Sequence, residues 1–264
     1  MDFWTSDQVR LAYQDVGPKT APAVILVPGF GGYQEIWTLQ VAYLQQMHYR
    51  VVTYDHRNSG RSQRTQQGLT VARLAQDLAE LSRHCQLKRP LIVGHSLGAS
   101  VAYALLSQNL VAVRAVMGVD QSPRMLNTPQ WPYGFKAVTA ANLMVSLAQP
   151  KAGHETLHGL QPAVTAALNL VKQQAPFDEQ ANQVLLRDHF QQNWVPMLLA
   201  TAVPVTLVVA TQSPYYRSGY AAQLQRANAQ IQAVSIEDCG HDIMAEVPAA
   251  FNQTLRHFVL KYRR

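Results

Sequence analysis

Leu91-Ile92-Val93-Gly94-His95-Ser96-Leu97-Gly98-Ala99 is the stretch from which the fold is read. Leu91, Ile92 and Val93 form a short apolar run of the kind found in a strand buried on both faces, and Ala99, Ala102, Ala104 and Leu105 favour a helix directly afterwards. Between them lies G-x-S-x-G, in the context of strand, sharp turn and helix that the motif requires. A serine on so tight a turn must stand clear of the sheet, and side chains two positions to either side would collide with strand and helix. Glycine at 94 and 98 removes that obstruction. An unactivated hydroxyl is a weak nucleophile, so the turn also has to aim Ser96 at a base, while the following helix directs its positive N-terminus at the site. A serine serving only as a helix cap leaves both glycines unexplained.

Outward from this turn, β-branched runs alternate with amphipathic stretches, the pattern of an α/β fold with a mostly parallel central sheet flanked by helices. Strands are expected at 9–13, 24–27, 50–54, 91–94, 115–119, 205–210 and 233–236. Val71, Leu74, Leu78 and Leu81 recur at helical spacing, as do Leu97, Val101 and Leu105, and Phe251, Leu255 and Phe258. From Gln121 to Val203 no strong strand signal occurs, and this interval reads as a helical insertion over one end of the sheet. The expected organisation is a core of 1–120 and 204–264 with a helical cap insertion at 121–203, all one folding unit.

The 264 residues, 48% hydrophobic, suffice for one large domain with a substantial core. Met1-Asp2-Phe3-Trp4-Thr5-Ser6-Asp7 carries early acids and no apolar run, so it does not read as a secretory signal, and a cytoplasmic location is expected. The longest greasy stretch, 197–210, is interrupted by Pro204 and falls short of the roughly 20 residues of a membrane span. Cys85 and Cys239, far apart, give neither a disulfide framework nor zinc-site spacing. The net charge of +6 comes without a basic stripe interleaved with aromatics, so no nucleic-acid partner is implied.

With its strand-turn-helix serine motif and this element order, the chain resembles the α/β-hydrolase superfamily, specifically its serine esterase-like members, from about residue 9 to the C-terminal helix. The resemblance implies a nucleophile after the fifth strand, an acid after a later strand and a histidine after the last, with no cofactor and no metal. Glu237-Asp238-Cys239-Gly240-His241-Asp242 resembles the family's terminal Gly-His loop and makes His241 the general base. The acid often follows the seventh strand, yet 205–210 leads into Thr211-Gln212-Ser213-Pro214. A known variation places it one strand earlier, where Val119-Asp120-Gln121 offers Asp120, with Asp238 and Asp242 as alternatives. By the same resemblance the backbone N–H groups of Phe30 and Leu97 form the oxyanion hole, in a loop where Pro28 replaces the family's histidine. Asp55-His56-Arg57-Asn58-Ser59-Gly60-Arg61-Ser62 resembles a turn of the family that serves architecture, with Asn58 replacing its first glycine.

The implied reaction is acyl transfer to Ser96 from a small carboxylic ester or related substrate, followed by hydrolysis. Serine at this turn argues against dehalogenase and epoxide-hydrolase chemistry, because a serine ether would not be readily hydrolysed. Trp131, Tyr133, Phe135 and Met144 are expected to line an apolar pocket or, equally, to form the core of the insertion. Three other readings compete. His154-Glu155-Thr156-Leu157-His158 is a literal H-E-x-x-H, with Glu179 as a third ligand for zinc, but Gly153 and Gly159 weaken the helix it needs. Gly29-Phe30-Gly31 with Asp55 imitates a dinucleotide site but lacks the third glycine. A ligand-binding module that keeps the pocket without turnover is the third.

Overall fold

The computed structural model describes residues 1–149 and 154–263. Its eight strands are β1 (Asp2–Trp4), β2 (Arg10–Val16), β3 (Ala23–Val27), β4 (Arg50–Tyr54), β5 (Leu91–His95), β6 (Ala115–Val119), β7 (Val205–Ala210) and β8 (Ile231–Ile236). They form one sheet in the order β1-β2-β4-β3-β5-β6-β7-β8. Pairing is antiparallel from β1 to β2 and from β2 to β4, and parallel everywhere else. All seven expected runs are strands. The addition is β1, where Phe3 alone is buried and too little alternation exists to signal a strand.

The continuous apolar runs have a plain cause: β4, β5, β6 and β7 are buried at every position, because helices cover both faces of the sheet. One face packs α2 (Val71–His84) and α3 (Leu97–Ser107) through Leu74, Leu78, Val101 and Leu105. The other packs α1 (Thr38–Gln46) and, much later in the chain, the C-terminal α10 (Pro248–Lys261) through Leu44, Phe251 and Leu255. Each such side chain contributes about 1.5–3 kcal/mol on burial, so these two layers set the fold. Between β6 and β7 run α4 (Leu143–Ala148), α5 (Pro162–Gln174), α6 (Gln183–Gln191) and α7 (Val195–Ala200). Met125, Val138, Leu143, Leu186 and Phe190 give this segment a small cluster of its own. The order of the remaining helices is α8 (Gly219–Ala227) before β8 and α9 (Ile243–Glu246) before α10.

From β3 the chain first builds β4 on one side and then returns to add β5 on the other. Loops leaving the C-terminal ends of β3 and β5 therefore diverge and open a crevice, the place where sheets of this kind bind ligands. The turn after β4 braces that edge. Arg57, fully buried, bonds Asp77 at 2.7 Å from both Nε and Nη2 and Asp7 at 2.8 and 2.9 Å. Asn58 occupies the left-handed region at φ 64°, which asparagine tolerates better than most residues, and this accounts for its standing in place of glycine. At Gly60, φ 50°, a Cβ would lie 2.2 Å from the Asp55 carboxyl carbon.

Removing one partner of a buried ion pair strands the other charge. Asp77→Ala is expected to lower the unfolding free energy by about 3–5 kcal/mol in urea titration, whereas Asp2→Ala, which breaks the exposed Arg10–Asp2 pair, costs at most about 1 kcal/mol. Equal effects would remove Arg57 from its bracing role.

Candidate active site

Ser96 takes φ 52° and ψ −122°, a conformation that costs on the order of 1–3 kcal/mol and persists only where neighbours enforce it. Here Ser96 N–H donates to Val119 O on β6 at 3.0 Å, while Ser96 O accepts from Ala99 N–H as α3 begins. The two glycines are required by contact: a Cβ on Gly94 would lie 2.3 Å from Gly98 O, and one on Gly98 would lie 2.4 Å from Val27 O. The loop after β3 presses on the same turn, since a Cβ on Gly29 would stand 3.1 Å from Ser96 Cβ. Phe30 follows in that loop and Leu97 is the first residue of α3. Helix-starting N–H groups have no intrahelical partner, so the end of α3 next to Ser96 suits developing negative charge.

At the ends of the following strands stand the other two expected residues. Asp120, directly after β6, is 1% exposed and lies at φ 44°, another left-handed position. Its Oδ1 accepts from Ala210 N–H at 3.1 Å, and its Oδ2 accepts from Ser213 Oγ at 2.7 Å and from His241 Nδ1 at 2.7 Å. Ser213, in the loop after β7, thus supports a carboxylate carried one strand earlier. Donation from Nδ1 leaves Nε2 of His241 as the acceptor nitrogen. Burial disfavours the charged ring of His241, but the Asp120 hydrogen bond and charge, with the charges of Asp242 and Glu155, hold its pKa above the ordinary imidazole value. Asp238 instead bonds His158 at 3.0 Å, and the Asp242 carboxyl, which acts on His241 through its charge, stands 3.7 Å from His95.

The loop bearing His241 is tied down by a residue that sequence reasoning left without a role. Glu246 accepts from Gly240 N–H through Oε2 at 2.7 Å, and from Leu157 N–H and His158 N–H through Oε1 at 2.6 and 2.7 Å. His241 N–H donates to Glu155 O. His95 also supports this loop, with Nε2 donating to His241 O at 3.1 Å and its ring 4.4 Å from that of His241. His95 is buried as packing requires, and burial holds it well below the ordinary imidazole value. It also borders the cavity.

A model of the alpha/beta hydrolase family matches residues 24–254. The chain belongs to that family. A segment of 101 residues is 36% identical to a candidate carbamate hydrolase, RutD, of Enterobacter cloacae, covering 38% of each chain. A segment of 133 residues is 30% identical to the bifunctional esterase/perhydrolase DCH of Acinetobacter calcoaceticus, covering 50% of this chain and 48% of that one. The chain thus spans about half or less of the length of these curated relatives. The esterase EaEST of Exiguobacterium antarcticum superposes with a TM-score of 0.79 over 98% of both chains at 18% identity, a likeness of fold.

In this α/β hydrolase, Ser96 and His241 border one cavity of about 380 Å³. Of the four aromatic and methionine residues expected there, only Phe135 does. Trp131 is buried and donates to Arg124 O at 3.1 Å, Tyr133 packs on Gly219, and Met144 is exposed away from the lining. The walls come instead from Leu186, Phe190, Tyr215 and Tyr216, whose positions depend on how distant segments fold together. The H-E-x-x-H segment is not helical: residues 154–158 form bends and irregular backbone, so the one-face geometry a zinc pair needs is missing. Glu155 Oε1 accepts from Tyr215 OH at 2.6 Å, and His158 is engaged by Asp238. The Gly29–Gly31 loop meets Ser96 and Phe177 rather than opening a nucleotide-binding helix.

An NMR titration of the ring signals is expected to give His241 a pKa above 6.5, falling in Asp120→Asn, which removes the carboxylate charge. Neutral His241 then predominates above that midpoint. The shift stabilises the fold most below the unfolded value of 6.5, and this contribution is lost as pH rises through the folded value. A wild-type midpoint below 6.5, or one unmoved by the substitution, would contradict the coupling.

Proposed function

We propose that this α/β hydrolase is a serine hydrolase, most specifically a carboxylesterase, in which Ser96, His241 and Asp120 act as the catalytic triad. The observation that carries the reading is the 2.7 Å bond from His241 Nδ1 to the buried Asp120 carboxylate, beside a cavity that Ser96 also borders. His241 Nε2 takes the proton of Ser96 Oγ as the oxygen attacks the substrate carbonyl, and the carbonyl electrons move onto its oxygen. Asp120 stabilises the imidazolium without accepting its proton.

The oxyanion is held by the backbone N–H groups of Phe30 and Leu97, each contributing about 3–4 kcal/mol in sites of this type. Collapse of the intermediate breaks the bond to the leaving alcohol, which departs with the proton from His241. Water then attacks the acyl-serine, His241 again removes a proton, and the acid is released with Ser96 restored. Residues 121–203 act as the cap over the core formed by 1–120 and 204–264, and Phe135 and Phe190 bring apolar surface from that cap to the cavity. The esterase and carbamate hydrolase names of the relatives support hydrolysis at a carbonyl, and the esterase name supports an oxygen leaving group.

Two measurements test this. A fluorophosphonate probe is expected to add once to the wild type and not to Ser96→Ala; labelling of that variant at the wild-type rate would overturn the assignment of the nucleophile. With a short activated ester, wild-type activity is expected to rise with pH through the His241 midpoint, and Asp120→Asn to lower kcat by about 10⁴-fold. Retention of full activity in Asp120→Asn would place the acid elsewhere.

A further inference from the structure

His189, on α6, is 2% exposed and is one of the residues lining the cavity, as are Leu186 and Phe190. Neither Nδ1 nor Nε2 has a hydrogen-bond partner among the described residues. Several other buried polar atoms share that condition, including Tyr54 OH, Tyr103 OH and Trp194 Nε1, but among the described residues His189 is the one such residue that borders the cavity. Buried polar groups are nearly always paired, and leucine or phenylalanine would fill the same wall without losing hydration. An imidazole in this position makes sense where a ligand completes its bonding.

The surroundings define that ligand. Phe30, Phe135, Phe190 and Tyr215 line the same cavity, with the Phe135 ring 5.3 Å from Phe190 and 4.8 Å from Tyr215. Such walls suit an aromatic ring, which packs on them edge-to-face or offset. Burial holds His189 down to about 3, so the ring is neutral at working pH, with one nitrogen a donor and the other an acceptor. A hydroxyl can donate to one imidazole nitrogen or accept from the other, and therefore suits either tautomer.

We propose that His189 recognises a hydroxyl on an aromatic ring of the substrate, making hydroxyaryl esters the preferred class. This rests on the serine-hydrolase reading for the turnover, and on the cavity alone for the recognition. His189 acts as a specificity residue, at the cap side of the pocket, and takes no part in proton transfer.

The test uses para-nitrophenyl phenylacetate and its ortho, meta and para hydroxyl derivatives, with the wild type, His189→Leu and His189→Gln. Sites built to hydrogen-bond a substrate hydroxyl discriminate strongly against the analogue lacking it. In the wild type, one hydroxyl isomer is expected to exceed the plain ester in kcat/KM by about 100-fold or more. In His189→Leu that ratio is expected to fall by at least about tenfold, mainly through KM, with partial recovery in the hydrogen-bonding His189→Gln. Absence of any hydroxyl preference in the wild type, or its survival in His189→Leu, overturns the proposal.

A second readout is independent of turnover and of the variants' folding. In the wild type, the His189 ring nitrogen signals are expected to shift on titration with phenol and not with benzene. If phenol moves them while no ester is cleaved, recognition stands and the serine-hydrolase reading fails. If phenol leaves them unmoved, recognition is overturned whatever the turnover.

Discussion

The bond between His241 Nδ1 and Asp120 Oδ2 joins the last loop of the sheet to the end of a central strand, and the arrangement of the cavity depends on it. A carboxylate 1% exposed is tolerable only when its oxygens are well bonded, since desolvating an anion costs several kcal/mol. Ala210 N–H, Ser213 Oγ and the His241 ring supply those bonds. The backbone of β7 and its following loop are therefore as much part of the site as the two side chains. Ser213 also accepts from Tyr215 and Tyr216 N–H, so the loop that supports Asp120 presents two cavity-lining tyrosines as well.

A second constraint acts from the opposite side. Glu246 gathers three backbone N–H groups from two segments far apart in sequence, 157–158 and Gly240. One carboxylate thereby fixes the approach of the segment between β6 and β7 to the loop bearing His241. Asp242 lies between these parts, where burial pushes its carboxyl up to about 7 against the pull of His241. The region thus carries a high density of coupled ionisable groups, a condition that clusters at functional sites.

Legibility in the sequence divided along physical lines. The turn at Ser96 was readable because its requirements are local: a strand, two glycines and a helix within a dozen residues. Sheet strands were readable because burial on both faces leaves uninterrupted apolar runs, and β1 was not, because three residues with one buried side chain carry no period. His241 and Asp120 needed family resemblance to be chosen among many histidines and aspartates, for nothing local distinguishes them. The pocket walls were the weakest reading. Aromatic composition left Trp131, Tyr133, Phe135 and Met144 divided between pocket and core, because which aromatic faces a cavity is decided by packing of the segment between β6 and β7. His154 to His158 carries the identities of a zinc motif without its helix: the residues run as bends and irregular backbone, and Glu155 O accepts from His241 N–H.

The central claim, that three separated segments form one proton path ending at Ser96, is tested most directly by a crystal structure of the protein after reaction with diethyl para-nitrophenyl phosphate. The account predicts phosphorus bonded to Ser96 Oγ, its phosphoryl oxygen within hydrogen-bonding reach of Phe30 and Leu97 N–H, and His241 Nε2 facing the adduct while Nδ1 stays on Asp120. Phosphorus on another side chain, or a His241 ring parted from Asp120 and turned away from the adduct, would contradict it.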